Sequence, residues 1–369
     1  MRARVVPASG HGTPERVAIP DGVSLDGVRD LAARFPKALL RRTTVLRAAE
    51  LDHRADESGA TRVWLALESL QITGSFKVRG ALVSIAEQLA AGSDRVVTVS
   101  AGNHGAGVAY AARVLGARAT ICVPRTAPEA KRAKIAAEGA ELVLVDTAFY
   151  DDAEVYAKDL ATKSGLPFLS PYDDVAVVLG NGASLAFDIV RALGGLMSDA
   201  RAPEDRADVK LARAIVPFGG GGLATGIAWA LGETDGARRV WGAQSEASCA
   251  MAMSLERGSA VERLTSDAPT LAEGLEGGIS ASAFERARHA VAGVVVVSEA
   301  AIARAMAFAM TRLGLAIEGS SAVALAPLLD GMPEELRGGD VVAVLTGRNV
   351  DADRLAGVLR MIAGAAAAW

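Results

Sequence analysis

Residues 95–124, "RVVTVSAGNHGAGVAYAARVLGARATICVP", run from an apolar segment through a glycine-rich turn into a helical pattern and then a second apolar segment. The segments 95–100 and 118–124 are rich in β-branched residues and predict strands, and 104–116 between them predicts a helix. Two strands joined by a crossover helix pair in parallel. The stretch therefore predicts a parallel sheet covered by helices.

The same alternation continues along the chain. Helices are predicted at 127–139, 150–165, 183–193, 223–232 and 299–314, and further strands at 140–146, 211–218, 238–246, 292–298 and 340–347. Residues 1–35 form a polar lead with little period, and 198–208 form a charged connection. We therefore predict an α/β fold with two open parallel-sheet domains, in which a small mobile domain (95–173) is inserted into a large one (1–94 and 174–369).

Composition excludes several classes of function. The 369 residues carry a net charge of −4 and no long basic run, so no nucleic-acid partner is expected. Only Cys122 and Cys249 are present, which argues against a disulfide framework and for a reducing compartment. The N-terminus has no signal-peptide pattern, and no apolar run reaches the roughly 18 residues of a membrane span without interruption. We expect a cytoplasmic protein without a membrane partner.

Four consecutive glycines, Gly219–Gly222, separate a predicted strand from a predicted helix in "VPFGGGGLATG". Glycines let successive backbone N–H groups point at one anion, and the helix N-terminus adds a favourable dipole. A flexible connector is the alternative, but four glycines at a strand end favour phosphate binding. The loop matches neither a Walker A sequence nor a well-formed GxGxxG fingerprint.

Two further loops follow strands. "SAGNH" (100–104) opens a helix, so its N–H groups could receive a carboxylate, and the Asn103 amide can both donate and accept. His104 could act as a base, although a single histidine at a helix start is more often structural. "LTGRNVD" (345–351) places the Thr346 hydroxyl after the last strong strand, at the edge where such sheets bind ligands.

Lys77 in "QITGSFKVRGA" (71–81) could be an ordinary solvated charge or a chemical centre. The chain has four histidines and lacks HExxH, CxxC and GxSxG motifs, so neither a metal hydrolase nor a serine hydrolase is indicated. A lysine, a phosphate nest, a carboxylate nest and a hydroxyl remain. Together they indicate covalent chemistry with a phosphate-bearing aldehyde, pyridoxal 5′-phosphate (PLP).

"LESLQITGSFKVRGA", "SAGNHGAGVAYAA", "PFGGGGLATGIA" and "LTGRN" resemble, in this order, the motifs of fold-type II (tryptophan synthase β-like) PLP enzymes of the serine/threonine dehydratase group. The resemblance spans about 42–351. It implies that Lys77 forms the Schiff base, and that Phe76 flanks the ring and Asn103 bonds its 3′ oxygen. It also implies phosphate binding by Gly219, Gly220, Gly221, Gly222 and Leu223, a Thr346 contact with the pyridine nitrogen, and substrate carboxylate binding by Ser100, Ala101, Gly102, Asn103 and His104.

The activity that this resemblance implies is β-elimination of a β-hydroxy amino acid such as L-threonine or L-serine to a 2-oxo acid and ammonia. Modified substrates of the hydroxyaspartate, phenylserine or hydroxyectoine-pathway type stay open, as does a β- or γ-replacement synthase. A non-enzymatic PLP-fold scaffold is a third reading, which intact Lys77 and Asn103 oppose. The resemblance further implies a homodimer or homotetramer.

Several residues depart from the pattern of that group. Ala101 stands where racemases carry a basic serine, which disfavours racemisation. Gln244 and Ala250 stand where a cation site has carboxylates, so no metal is expected there. Arg348 replaces a glycine and either closes a turn or contacts an acidic substrate or Glu276. Glu273 replaces a common aspartate, and Glu318 matches a glutamate near the ring.

Overall fold

The computed structural model describes residues 3–8, 24–198, 211–235, 239–264 and 268–364. All but the first residue of the predicted connection 198–208 lies outside these ranges. The strands are β1 (Arg4–Pro7), β2 (Thr44–Arg47), β3 (Thr61–Leu67), β4 (Arg95–Val99), β5 (Arg118–Pro124), β6 (Glu141–Val145), β7 (Leu211–Pro217), β8 (Val240–Ser245), β9 (Gly293–Val297) and β10 (Gly339–Leu345).

The strands form a seven-stranded sheet in the order β1-β9-β8-β7-β10-β3-β2 and a three-stranded sheet in the order β4-β5-β6. All neighbours pair in parallel except β1 with β9 and β2 with β3, which are antiparallel. The α/β class with two parallel sheets is confirmed. The division at 95 and 173, and the mobility of the smaller unit, stay predictions.

The antiparallel edge strands β1 and β2 were not predicted, and the polar reading of residues 1–35 was wrong at β1. Each strand has only four residues; β2 alternates between exposed and partly buried positions, and β1 has a single buried residue, Val6. An edge strand pairs on one side only, so it needs no continuous apolar run. Its short pattern is therefore hard to recognise without the partner strand.

Helices cover both sheets. They are α1 (Leu25–Val28), α2 (Leu31–Arg34), α3 (Asp52–Ala55), α4 (Lys77–Ala90), α5 (Asn103–Leu115), α6 (Glu129–Ala136), α7 (Tyr150–Ser164), α8 (Val175–Val178), α9 (Ser184–Ser198), α10 (Gly222–Asp235), α11 (Ala250–Arg257), α12 (Ala281–Ala290), α13 (Glu299–Arg312), α14 (Gly319–Leu329) and α15 (Ala352–Gly364).

Helices α8 and α9 are joined by a π-helical turn, Leu179–Ala183, into one long apolar helix. Its portion Val175–Gly195 is long and apolar enough to cross a membrane by length and composition alone. However, 72% of its most apolar window is buried inside the protein. Such burial is typical of a core helix, and α4 packs directly against it: the Gly80 N–H donates to the Asn181 side chain at 2.8 Å.

Candidate active site

Three predicted site segments meet at one edge of the large sheet. Strands β7, β10 and β3 are parallel neighbours, and the tetraglycine loop, Thr346 and the segment leading to Lys77 follow their respective carboxyl ends. The Phe76 N–H donates to the Thr346 carbonyl at 3.0 Å, which joins two of these loops directly. This is the edge at which open α/β sheets bind ligands.

Lys77 is the first residue of α4 and is half-buried. Its Nζ donates to the Pro171 carbonyl at 3.2 Å and lies 5.2 Å from the centre of the Phe76 ring. Burial lowers the pKa of Lys77 to about 8, although the charge of Glu318 opposes this shift. A sizeable fraction of the amine is therefore uncharged near neutral pH, as a base or nucleophile requires.

The lowered pKa of Lys77 predicts a stability profile for the cofactor-free protein. Between the folded pKa of about 8 and the ordinary value of 10.5, the unfolded chain binds more protons than the folded chain. The free energy of unfolding therefore gains a contribution from Lys77 as pH rises through this window. In urea unfolding from pH 7.5 to 10.5, the free energy of unfolding of the wild type should rise relative to that of Lys77→Met. A difference between the two proteins that does not change with pH would contradict the shifted pKa.

Arg79 anchors the start of α4, two residues after Lys77. Its guanidinium is fully buried and lies 2.8 Å from each of the carboxylates of Glu68 and Asp188. It also donates to the Thr43 hydroxyl at 2.7 Å and to the Ser184 hydroxyl at 3.1 Å. Burial alone would lower the pKa of Arg79, but the two carboxylates raise it above its usual value. This buried cluster ties the lysine-bearing turn to β2, β3 and α9.

The tetraglycine loop leads into the N-terminus of α10, and side chains would be crowded or strained at Gly220 and Gly221. Gly221 has a φ of +85°, and a Cβ on Gly220 would lie 2.7 Å from Cγ of Tyr172. The residue before the loop is fixed by a side chain, because Nε2 of Gln244 donates to the Phe218 carbonyl at 3.0 Å. Gln244, which stands where a cation ligand was considered, therefore has a structural partner here.

The loop 100–104 joins β4 to α5 in the smaller sheet. The Ser100 hydroxyl accepts from the Gly102 N–H at 3.0 Å, and α5 begins at Asn103. Backbone N–H groups in the first turn of a helix have no partner within the helix. These groups, together with those of the turn, can therefore receive an anion at this end of α5.

His104 is neutral and has a defined tautomer. The Thr98 hydroxyl gives its proton to the Leu169 carbonyl at 2.7 Å, so its 3.0 Å contact with Nε2 of His104 has the ring as donor. Nδ1 is left buried without a partner among the described residues. Burial, followed by the charge of Lys77, lowers the pKa of His104 to about 3. The His104 ring therefore brings no positive charge to the loop 100–104.

Asn103 belongs to a hydrogen-bonded chain across the two sheets. Its Nδ2 donates to the Glu318 carboxylate at 2.8 Å, and its Oδ1 accepts from the Asn349 amide at 2.6 Å. The Asn349 Oδ1 accepts from Nζ of Lys134 on α6 at 2.6 Å. Burial raises the pKa of Glu318 to about 7, although the hydrogen bond from Asn103 by itself lowers it. Sequence reasoning gave neither Asn349 nor Lys134 a role: Asn349 lies in the quoted "LTGRN" motif but only Thr346 was assigned there, and Lys134 belongs to no motif.

Two hydroxyls at this edge have no hydrogen bond within the described ranges. Thr346 is 3% exposed, and its hydroxyl is bonded to none of the described side chains or backbone groups. The Ser75 hydroxyl is also buried and unpartnered, and Ser75 pairs with Gly347 in an isolated bridge. A buried hydroxyl without a partner is costly, so Ser75 is a candidate ligand contact, and the unbonded Thr346 hydroxyl is a second candidate. Ser75 was overlooked because serine is common in turns.

Tyr172 and Pro171 cover Lys77 and the glycines. The Tyr172 hydroxyl donates to Glu154 on α7 at 2.8 Å, and the Tyr172 carbonyl accepts from Arg286 on α12 at 3.3 Å. Tyr172 thus links the smaller sheet, the larger sheet and the tetraglycine loop. Sequence reasoning gave no residue of this segment a role in the site.

Arg348 proves to be a turn residue. Its guanidinium donates to the carbonyls of Ser69 and Gln71, and its N–H donates to the Gly74 carbonyl at 2.9 Å. The considered contact with Glu276 is not formed. Glu273 is instead an ion-pair partner of Lys131 on α6 at 2.9 Å and of Arg354 on α15.

One concavity lies outside this edge. A surface concavity of about 720 Å³ lies near the amino ends of β3 and β10, and its lining includes His53, Arg54, Asp330 and Arg337. It is remote from the converging loops. Within the described ranges there is no group of three or more His, Cys, Asp or Glu residues that could hold a metal ion.

The whole chain is similar to known proteins. The family model described as pyridoxal-phosphate dependent enzyme matches residues 37–347. A catabolic L-threonine dehydratase of Staphylococcus aureus is 33% identical over 344 residues, which cover 91% of this chain and 92% of the relative. Threonine deaminase isoform 2 of Solanum lycopersicum has a TM-score of 0.74 at 26% identity over 98% of this chain and 99% of its own. Maize serine racemase has the same TM-score at 26% identity over 93% and 98%.

The chain belongs to the family of pyridoxal-phosphate dependent enzymes, and its cofactor is PLP. Within that family it falls with the fold-type II enzymes of the serine/threonine dehydratase group, as the motifs predicted.

The residues present fit this cofactor. Lys77 offers an amine with a lowered pKa, and the glycine loop is a cradle whose backbone a Cβ would obstruct. Thr346 offers a hydroxyl free to pair with a ring nitrogen. This edge therefore offers an amine, an anion cradle and a hydroxyl, the groups that PLP needs for binding.

Proposed function

We propose that the protein is a PLP-dependent ammonia-lyase, which eliminates the β-hydroxyl of an amino acid such as L-threonine or L-serine to give a 2-oxo acid and ammonia. The observation that carries the proposal is a half-buried lysine at the edge where the glycine loop and Thr346 converge: its Nζ donates to the Pro171 carbonyl at 3.2 Å, and burial lowers its pKa to about 8. The likeness to a threonine dehydratase and a threonine deaminase supports it.

In this proposal Lys77 is both the covalent anchor and the base. Bound PLP supplies the electron-withdrawing ring that makes the Cα–H bond of an attached amino acid acidic. The freed Lys77 amine takes the Cα proton at Nζ, and the adjacent Pro171 carbonyl orients that amine. Arg79 keeps the first turn of α4 in place and so fixes where Nζ can reach.

The remaining predicted residues bind and orient. We assign the phosphate to Gly219–Gly222 and Leu223 at the start of α10, the ring face to Phe76, the ring nitrogen to Thr346 and the 3′ oxygen to Asn103. The substrate carboxylate is assigned to the N–H groups of Ser100–His104 at the start of α5. His104 contributes only its backbone N–H there. Its neutral ring has one N–H, and that N–H already donates to the Thr98 hydroxyl.

Elimination is favoured over racemisation because only one face has a base. Racemisation needs a second proton carrier opposite Lys77, and Ala101 has no titratable atom. His104, with a pKa near 3, is a poor substitute for such a carrier. A β- or γ-replacement synthase is the second candidate for the same site.

We further propose a cytoplasmic homodimer or homotetramer, in which residues 95–173 move towards 1–94 and 174–369 when substrate binds. The contacts Lys131–Glu273 and Lys134–Asn349 join α6 to residues 174–369, so closure could make or break them. Such closure would exclude water from the reacting centre.

The deciding experiment is a substrate panel with the PLP-loaded protein. L-threonine, L-serine, 3-hydroxyaspartate and phenylserine are tested for release of 2-oxo acid and ammonia. Serine with added thiol or sulfide tests the replacement alternative. Ammonia release from one β-hydroxy amino acid is expected, and PLP-loaded protein that forms only a replacement product, or nothing, would refute the lyase proposal.

A further inference from the structure

Two lysines on α6, Lys131 and Lys134, point towards the large sheet but meet different partners. Lys131 Nζ lies 2.9 Å from the Glu273 carboxylate. Lys134 Nζ donates instead to the side-chain oxygen of Asn349 at 2.6 Å. An amide accepts a hydrogen bond but brings no negative charge, so the Lys134 cation is bonded without being neutralised.

The carboxylates near Lys134 are engaged elsewhere. Glu138 lies 2.8 Å from Arg113. Glu273 is shared by Lys131 and Arg354. Glu318 accepts from Asn103 and has a pKa raised to about 7, so it carries only part of a charge at neutral pH. No carboxylate of the described residues is within ion-pair distance of Lys134.

Positive charge also accumulates around Lys134. Burial lowers the pKa of Lys134, and the nearby charge of Arg348 lowers it further, while Glu318 and Glu138 oppose the shift by smaller amounts. The pKa of Arg348 is itself lowered by burial and by Arg41. A cation under these conditions gains free energy when an anion arrives. The position therefore favours a negatively charged ligand group.

Lys134 is close to where the proposed function places the substrate. It is two hydrogen bonds from Asn103, because Asn349 bonds both residues at 2.6 Å. Asn103 belongs to the loop assigned to the substrate carboxylate. Within an amino acid, an anionic group on the β-carbon is only about one residue's length, roughly 3.5 Å, from the α-carboxylate, so both can be held at neighbouring points.

We propose that Lys134 binds a second anionic group on the β-carbon of the substrate and so directs the enzyme towards dicarboxylic β-hydroxy amino acids. This inference rests on the proposed function, and it deepens it by naming a substrate class. Threonine and 3-hydroxyaspartate form a matched pair, because both carry the β-hydroxyl and differ only in a methyl group or a carboxylate.

The test compares kcat/KM for this pair in the PLP-loaded wild type and in Lys134→Met. The wild type should prefer 3-hydroxyaspartate. Lys134→Met should lose about 10- to 100-fold more with that substrate than with threonine, the range of one charge-assisted hydrogen bond. The control Lys131→Met removes the neighbouring ion pair of the same helix and should change both substrates alike. An equal loss on both substrates in Lys134→Met, or no loss, would overturn the proposal.

A binding measurement separates this inference from the elimination reaction. Succinate and butyrate differ by one carboxylate in place of a methyl group, and each can be titrated against the absorbance of the bound PLP. Succinate should bind the wild type more tightly than butyrate, and Lys134→Met should remove that difference. If the protein turns over neither amino acid, the elimination proposal fails, while an unchanged succinate preference in Lys134→Met refutes the role of Lys134 independently.

Discussion

Lys77→Ala should lower the release of 2-oxo acid and ammonia by about 10⁴-fold or more, the upper end of what one proton-transferring group contributes. The change removes the covalent anchor of PLP and the base at Cα together. The absorbance of lysine-bound PLP should disappear from the purified variant. Product assays and a spectrum of the same preparation check both results.

Two controls separate the chemistry of Lys77 from its charge. Lys77→Arg keeps a cation but cannot act as a base near neutral pH, so it should be nearly as inactive as Lys77→Ala. Lys163→Ala removes an exposed lysine, paired with Asp159 on α7, and should leave turnover unchanged. Activity of Lys77→Ala within tenfold of the wild type would exclude Lys77 as the reacting group.

Arg79→Met should reduce the free energy of unfolding by about 3–5 kcal/mol, the usual cost of removing one partner from a buried ion pair. Arg79 and Glu68 are 0% exposed and Asp188 is 4% exposed. The variant therefore leaves Glu68 without a cation in the core, while Asp188 keeps only its longer contacts with Arg42 at 3.5 Å and Arg191 at 3.7 Å. Urea unfolding at pH 7 measures the loss. Because the cluster fixes the first turn of α4, PLP affinity should fall as well.

The matched control is Arg118→Met. Arg118 and its partner Asp94 are 69% and 64% exposed, so solvent screens the pair and its loss should cost less than about 1 kcal/mol. Arg79→Met/Glu68→Leu should recover part of the stability, since one uncompensated charge is then removed. Equal destabilisation by Arg79→Met and Arg118→Met would show that the buried cluster is not what holds α4.

Local pattern was sufficient for most of the fold. The elements predicted at 95–100, 104–116 and 118–124 appear as Arg95–Val99, Asn103–Leu115 and Arg118–Pro124. Buried parallel strands and crossover helices carry their signal in adjacent residues, so the sequence reveals them. The edge strands β1 and β2 escaped because their pairing partners, not their own residues, make them strands.

Local pattern also identified the loops at the sheet edge. Glycines before a helix, and a lysine after "GSF", are recognisable because backbone geometry and chemistry demand those residue types within a few positions. Their convergence follows from parallel strands, whose carboxyl ends share one edge. The roles assigned to the individual residues stay predictions until they are tested by mutation.

The chemical state of the site came only from contacts between distant parts of the chain. Arg79 is buried because Glu68 and Asp188 reach it from other elements. His104 is neutral because it is buried near Lys77, and Thr98 and Leu169 dictate its tautomer. Lys134 differs from Lys131 only in what faces it across the cleft. Residue type sets which reactions are possible, but charge and protonation depend on burial and on neighbours brought together by folding, and a linear sequence contains neither.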